Sequence, residues 1–137
     1  MTRTNSGDRS TLLRSVSQND ESAPEILAKA CAATHHACLG AVTWGIKSED
    51  LGHPLQPEVK ALVLAAAQLC QSLATLLRER SEHVPAVLQA TGSICQACAE
   101  ACLQIEAQIE EILVCRDACL NSSQACMNYL QTLSAEA

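Results

Sequence analysis

VLQATGSICQACAEACLQ (residues 87–104) and VCRDACLNSSQACMNYL (residues 114–130) decide the fold. In the first, Leu88, Thr91, Cys95, Cys98 and Cys102 follow one another at steps of three or four. In the second, Cys115, Cys119, Ser122 and Cys126 do the same, with Ile112 one turn earlier. Those steps put successive side chains on one stripe of an α-helix. QACAEACLQ and CRDACLNSSQAC are variations on one helical Ala/Cys pattern, so the two stretches predict a pair of helices with sulfur along their inward faces.

Working outward, the remaining cysteines obey the same spacing. Cys31 and Cys38 lie with Leu27, Val42 and Ile46 on a stripe of a first helix, expected over about 23–48. Ser22-Ala-Pro-Glu25 supplies its start: a serine cap, proline in the first turn and glutamate three residues after the cap. Gly52, Pro54 and Pro57 break the chain. A second helix over about 57–80 carries Leu62, Ala66, Leu69, Cys70, Leu73 and Leu77, with Arg78 and Arg80 near its C-terminus, where the helix dipole favours cations. Ser81-Glu-His-Val-Pro85 is the next turn. The third helix begins near Pro85, and the fourth frays after about Leu133. Between these two lies Leu103-Gln-Ile-Glu-Ala-Gln-Ile-Glu-Glu111, with neither Gly nor Pro. Local propensity there favours continuous helix, whereas a bundle needs a turn near residue 107.

Three breaks and four helices predict an all-α, antiparallel four-helix bundle over residues 22–137. Residues 1–21 are polar, with only Leu12, Leu13 and Val16 to bury, and read as a disordered, mobile tail. Composition agrees with a bundle. Hydrophobic residues make up 48% of the chain, yet Phe is absent and Trp44 and Tyr129 are the only aromatics. Such a core must be built from Leu, Ile, Val, Ala and Cys, small side chains that let helices approach closely. Strands want the β-branched and aromatic residues that are scarce here.

The formal net charge is −6, with no basic cluster, which argues against nucleic acid as a partner. No stretch reaches the roughly 18 uncharged apolar residues of a membrane span. The N-terminal sequence has neither an apolar run of signal-peptide length nor a twin arginine. A cytoplasmic, reducing location is the expectation, where thiols stay free unless a metal takes them. Helical neighbours three or four apart are also too distant for a disulfide, with Cβ atoms roughly 5–6 Å apart against the roughly 3.5–4.5 Å required.

Nine cysteines in 137 residues therefore either pack as small apolar groups or present a row of sulfurs to a soft metal. The spacing favours a metal. Cys95/Cys98 are CxxC, and Cys98/Cys102 and Cys115/Cys119 are CxxxC. Thiolates one turn apart can hold a two-coordinate d¹⁰ ion, and soft sulfur selects Cu(I) or zinc, or holds an iron–sulfur cluster. The candidate ligands are Cys31, Cys38, Cys70, Cys95, Cys98, Cys102, Cys115, Cys119 and Cys126. His35 joins them, between two cysteines on their own face. Cys70 and Cys126 stand alone on their turns and could equally be packing groups. His36, His53 and His83 read as surface or loop residues, and Met127 as a core methionine. No nucleophile elbow, Gly-rich loop or HExxH motif is present. Glu106, Glu110 and Glu111 do not make an ExxH di-iron site. The chain reads as a binding protein rather than an enzyme.

From about Glu25 to Leu130 the sequence resembles the bacterial cysteine-rich four-helix-bundle copper storage proteins, formerly labelled ferredoxin-like. The closest stretch is LCQSLATLLRERSEHVPAVLQATGSICQACAEACLQ (69–104), followed by residues 114–130. Cys95, Cys98 and Cys102 match the family's CxxCxxxC run. Cys115, Cys119 and Cys126 match its last row, Cys70 its second-helix position, and Cys31 and Cys38 its first-helix positions. The resemblance implies Cu(I) held by thiolates inside a preformed bundle, in a cytosolic subgroup that often forms tetramers. His35, Val42, Ala66, Thr91, Ile112 and Ser122 stand where the family usually has cysteine, which marks a divergent member of lower capacity. The expected function is Cu(I) storage or buffering, with metal ions and a second copy of the chain (dimer or tetramer) as partners. An iron–sulfur electron-transfer protein and a metal-free structural bundle are the alternatives.

Overall fold

The computed structural model describes residues 22–50, 52 and 55–136. The expectations for the 1–21 tail, His53 and Pro54 lie outside these residues. Four helices follow in order: α1 (Ala23–Asp50), α2 (Pro57–Arg78), α3 (Val84–Leu103) and α4 (Glu110–Glu136). Each packs against two neighbours, α1 on α2 and α4, and α3 on α2 and α4, closing an up-down-up-down ring.

The seam inside this ring is a heptad-like stripe in every helix. In α1 it runs through Leu27, Cys31, Thr34, Cys38, Ala41, Gly45 and Ser48. In α2 it runs through Val63, Ala66, Cys70, Leu73 and Leu77. Val84, Leu88, Thr91, Cys95, Cys98 and Cys102 continue it in α3, and Ile112, Cys115, Cys119, Ser122 and Cys126 in α4. Alternating steps of three and four keep one seam facing the partners when helices coil gently around one another. Alanine, cysteine, serine and threonine fill much of it, so the four backbones sit close together.

This phase corrects one sequence expectation. Ile46 does not continue the α1 stripe; it is 57% exposed. Gly45 and Ser48 take the inward positions, and Leu55 from the following loop lies over Gly45, where a Cβ would meet Leu55 Cδ1 at 2.8 Å. The missing Cβ leaves room for the Leu55 side chain to rest against the helix, and a larger residue there would have to displace it. Val42, Leu62 and Leu69 flank their seams half-buried rather than forming them.

The helix ends have identifiable causes. Ser22 Oγ accepts from the Glu25 backbone N–H at 3.4 Å and donates to the Glu25 carboxylate at 3.5 Å, a capping box. At the end of α2, Arg80 takes a left-handed φ of 55°, and the Ser81 N–H donates back to the Leu76 carbonyl. That is the usual C-terminal motif with arginine in glycine's place, and it ends α2 at Arg78 instead of residue 80. The glycine-free turn between α3 and α4 spans residues 104–109. It is closed by Gln108, whose side-chain amide donates to the Cys102 carbonyl at 3.1 Å and also to the Ile105 carbonyl. Ile105 and Ile109 pack against the core from this turn. Their burial overrides the helical propensity of the segment. At its other end, α4 continues to Glu136, past the expected fraying point.

Helix α2 is long and apolar enough, by length and composition alone, to cross a membrane. This qualifies the expectation that no stretch reaches that size. Within the bundle its apolar residues pack between α1 and α3.

Candidate metal centre

All nine cysteines are free thiols with no exposed surface. The seam phase dictates this, since each occupies an inward position of its stripe. The antiparallel register then decides which meet. Along α1 and α4, residues pair as 31 with 126, 34 with 118 and 122, and 38 with 115 and 119. Along α2 and α3, Cys70 Sγ lies 3.6 Å from Cys95 Sγ.

The densest group is Cys38, Cys98, Cys115 and Cys119, whose sulfurs all lie within 4.8 Å of one another. Cys38 Sγ is 3.8 Å from both Cys119 Sγ and Cys115 Sγ. Cys102 extends this cage through contacts with Cys98 and Cys115. Cys95 joins Cys119 to Cys70, Cys70 joins Cys31, and Cys31 joins Cys126. All nine sulfurs thus form one connected line through the interior. Cys70, the one cysteine of α2, and Cys126, alone on its turn of α4, acquire their sulfur neighbours from other helices.

Electrostatics within the line follow from who donates to whom. S–H groups of Cys126 and Cys70, with the Ser122 hydroxyl, stabilise a thiolate at Cys31 and lower it to about 4 against the cost of burial. Cys119 and Cys70 do the same for Cys95, lowered to about 5. Cys115 is lowered by four sulfur neighbours, Cys102 first. Their donors move the other way. Cys38, Cys70, Cys98, Cys102, Cys119 and Cys126 are all raised, because each must keep its proton to donate it and burial adds to the cost of ionising. The interior can hold isolated thiolates between thiols, but not adjacent thiolates without a cation. A soft cation removes that restriction by neutralising the charge it attracts.

The polar residues of the seam are satisfied separately. Thr34 and Ser122 hydroxyls lie 2.6 Å apart and bond to the carbonyls of Ala30 and Ala118. Thr91 donates to its own helix at Val87 O. Spacing singled out Thr91 and Ser122 only as seam positions, and nothing in the linear sequence signals the Thr34–Ser122 pair.

His35 is half-buried, and its Nδ1 lies 2.9 Å from the Ala67 carbonyl, so that nitrogen carries the proton and ties α1 to α2. It is not part of the four-sulfur group. His36 and His83 are exposed, and Met127 is 50% exposed rather than in the core.

A groove lined by Trp44, Leu55, Val59, Ala101, Gln104 and Ile105 opens at the end of the bundle that carries the α1–α2 and α3–α4 turns. Cys102, in the last turn of α3, is the cysteine adjacent in sequence to that lining.

No curated protein and no solved structure matches the chain. The family pattern described as copper storage protein matches residues 18–131, a span that takes in all four helices to within a few residues of the C-terminus and every cysteine. With a four-helix fold and a buried cysteine cluster behind that match, the chain belongs to the copper storage protein family.

Proposed function

We propose that this protein stores or buffers Cu(I) in the cytoplasm, holding it on core cysteine thiolates without catalysing a reaction. The observation that carries the reading is the unbroken contact line of nine buried sulfurs drawn from all four helices. Soft thiolates in a dry interior suit Cu(I). Preorganisation by the helices means that little ordering cost remains when the ion arrives. On this reading Cys31, Cys38, Cys70, Cys95, Cys98, Cys102, Cys115, Cys119 and Cys126 are the ligands, and His35 serves as a bridge between α1 and α2.

Thr34, Thr91, Ser122 and Ile112 dilute the sulfur of the seam, which favours a few ions per chain over bulk storage. Exposed apolar side chains such as Leu39, Ile46 and Val114 are compatible with a homo-oligomer. Short sulfur–sulfur separations favour single ions over an iron–sulfur cluster, whose own atoms must fit between the cysteine sulfurs. The test is elemental analysis of protein purified anaerobically from cells given copper, iron and zinc, paired with a thiol count. Copper with masked thiols supports the proposal. Iron with acid-labile sulfide, or nine titratable thiols and no metal, refutes it.

A further inference from the structure

The four cage sulfurs come from three helices: Cys38 from α1, Cys98 from α3, and Cys115 and Cys119 from α4. Two of their separations are 3.8 Å, and none exceeds 4.8 Å. A tetrahedral ion with bonds of roughly 2.3 Å to sulfur needs ligands roughly 3.8 Å apart, because a tetrahedron's edge is about 1.63 times its centre-to-vertex distance. Among the described residues this is the one group of three or more His, Cys, Asp or Glu side chains that approaches so closely. The other thiols meet as strings: Cys126 with Cys31, Cys31 with Cys70, and Cys70 with Cys95. Strings suit ions of low coordination number, and the cage suits one of coordination number four.

We propose that Cys38, Cys98, Cys115 and Cys119 form a mononuclear site for a tetrahedral divalent d¹⁰ ion, Zn²⁺, chemically distinct from the two-sulfur positions left for Cu(I). This rests on reading the core as a thiolate metal site and adds a second cargo class to it. On binding, Cys38, Cys98 and Cys119 lose their protons to solvent, Cys115 enters as the thiolate its neighbours already stabilise, and four sulfur–zinc bonds form, leaving a net charge of −2 on the site. Cys102 contacts Cys98 and Cys115, and Cys95 contacts Cys119. Cys102 stays protonated and donates S–H to a ligand sulfur, spreading that charge from the second layer.

The experiment titrates reduced, metal-free full-length protein with Co²⁺ and then Zn²⁺, reading absorption and proton release. The expected result is one Co²⁺ per chain with the intense ligand-field bands of a tetrahedral four-sulfur site, displaced by one equivalent of Zn²⁺. Proton release from apo protein on zinc addition should approach three per chain, from Cys38, Cys98 and Cys119. Cys98→Ser and Cys119→Ser should lose the bands. Cys31→Ser and Cys126→Ser should keep them while taking up less Cu(I), with helicity by circular dichroism confirming that each variant folds. Absence of the bands from the unmodified chain overturns the proposal whatever the variants do. Survival in Cys98→Ser or Cys119→Ser, or equal loss in Cys31→Ser, also overturns it. Cu(I) uptake by the same samples is read separately. A chain that takes Cu(I) but not Co²⁺ or Zn²⁺ removes the zinc site and leaves the copper reading standing, and a chain that takes none of them removes both.

Discussion

Raising the pH of the metal-free, reduced protein through the thiol range should unfold it. Six buried thiols (Cys38, Cys70, Cys98, Cys102, Cys119 and Cys126) are held above their ordinary value of 9.0, chiefly by neighbouring sulfurs and further by burial. In the unfolded chain they ionise normally. Above about pH 9 the unfolded state has therefore released protons that the folded state retains, and stability falls with rising pH. Each retained proton costs about 1.4 kcal/mol per pH unit, so six cost about 8 kcal/mol per unit, comparable with the whole 5–15 kcal/mol of a typical domain. Cys31, Cys95 and Cys115 are ionised in both states there and do not oppose the trend. Their own contribution is full above about pH 9 and declines as pH falls toward about 4 for Cys31 and about 5 for Cys95. The assay is urea unfolding followed by helical circular dichroism under anaerobic reductant, between about pH 8 and about pH 10.5. The midpoint should collapse within about one pH unit above 9, while Cu(I)-loaded protein, its thiolates already formed, should show a flat profile. An apo midpoint unchanged up to about pH 10 would refute the claim that these thiols are buried against one another.

Other consequences are local. Arg80→Gly should stabilise the apo protein by about 1 kcal/mol, because arginine occupies a left-handed position that glycine adopts freely; denaturant melts read this. Gln108→Ala should cost about 1 kcal/mol by removing the side-chain bond that closes the α3–α4 turn, and hydrogen exchange should rise first around residues 102–105. Leu73→Ala, at a fully buried seam position, should cost about 2–5 kcal/mol in equilibrium unfolding. A bulky disulfide reagent should find no thiol at the native surface and react at a rate set by opening, so that urea accelerates it by orders of magnitude. A fast native phase would contradict complete burial of the cysteines.

Much of this arrangement was legible in the sequence because helix periodicity is local. Steps of three and four located all four helices and put every cysteine inward, and Ser22, Pro57 and Pro85 marked helix starts. Phase at the end of α1 was not legible. Ile46 satisfies the spacing in isolation, but Leu55 folding back on Gly45 is a contact that no local rule anticipates. The α3–α4 turn carries no Gly or Pro signal because Gln108 and two half-buried isoleucines make it. Partnerships across helices, such as Cys126 with Cys31 or Thr34 with Ser122, depend on antiparallel register, which spacing along one chain leaves open. For the same reason His35 could be placed near the sulfur face but not assigned its bond to Ala67.

The most direct test of the central claim is titration of the reduced apo protein with Cu(I) in competition with a chromogenic Cu(I) chelator. Thiols from four helices acting together should withhold several equivalents per chain, leaving the chelator uncoloured until they are filled. If the chelator colours from the first addition, the sulfurs are a packed core and not a metal store.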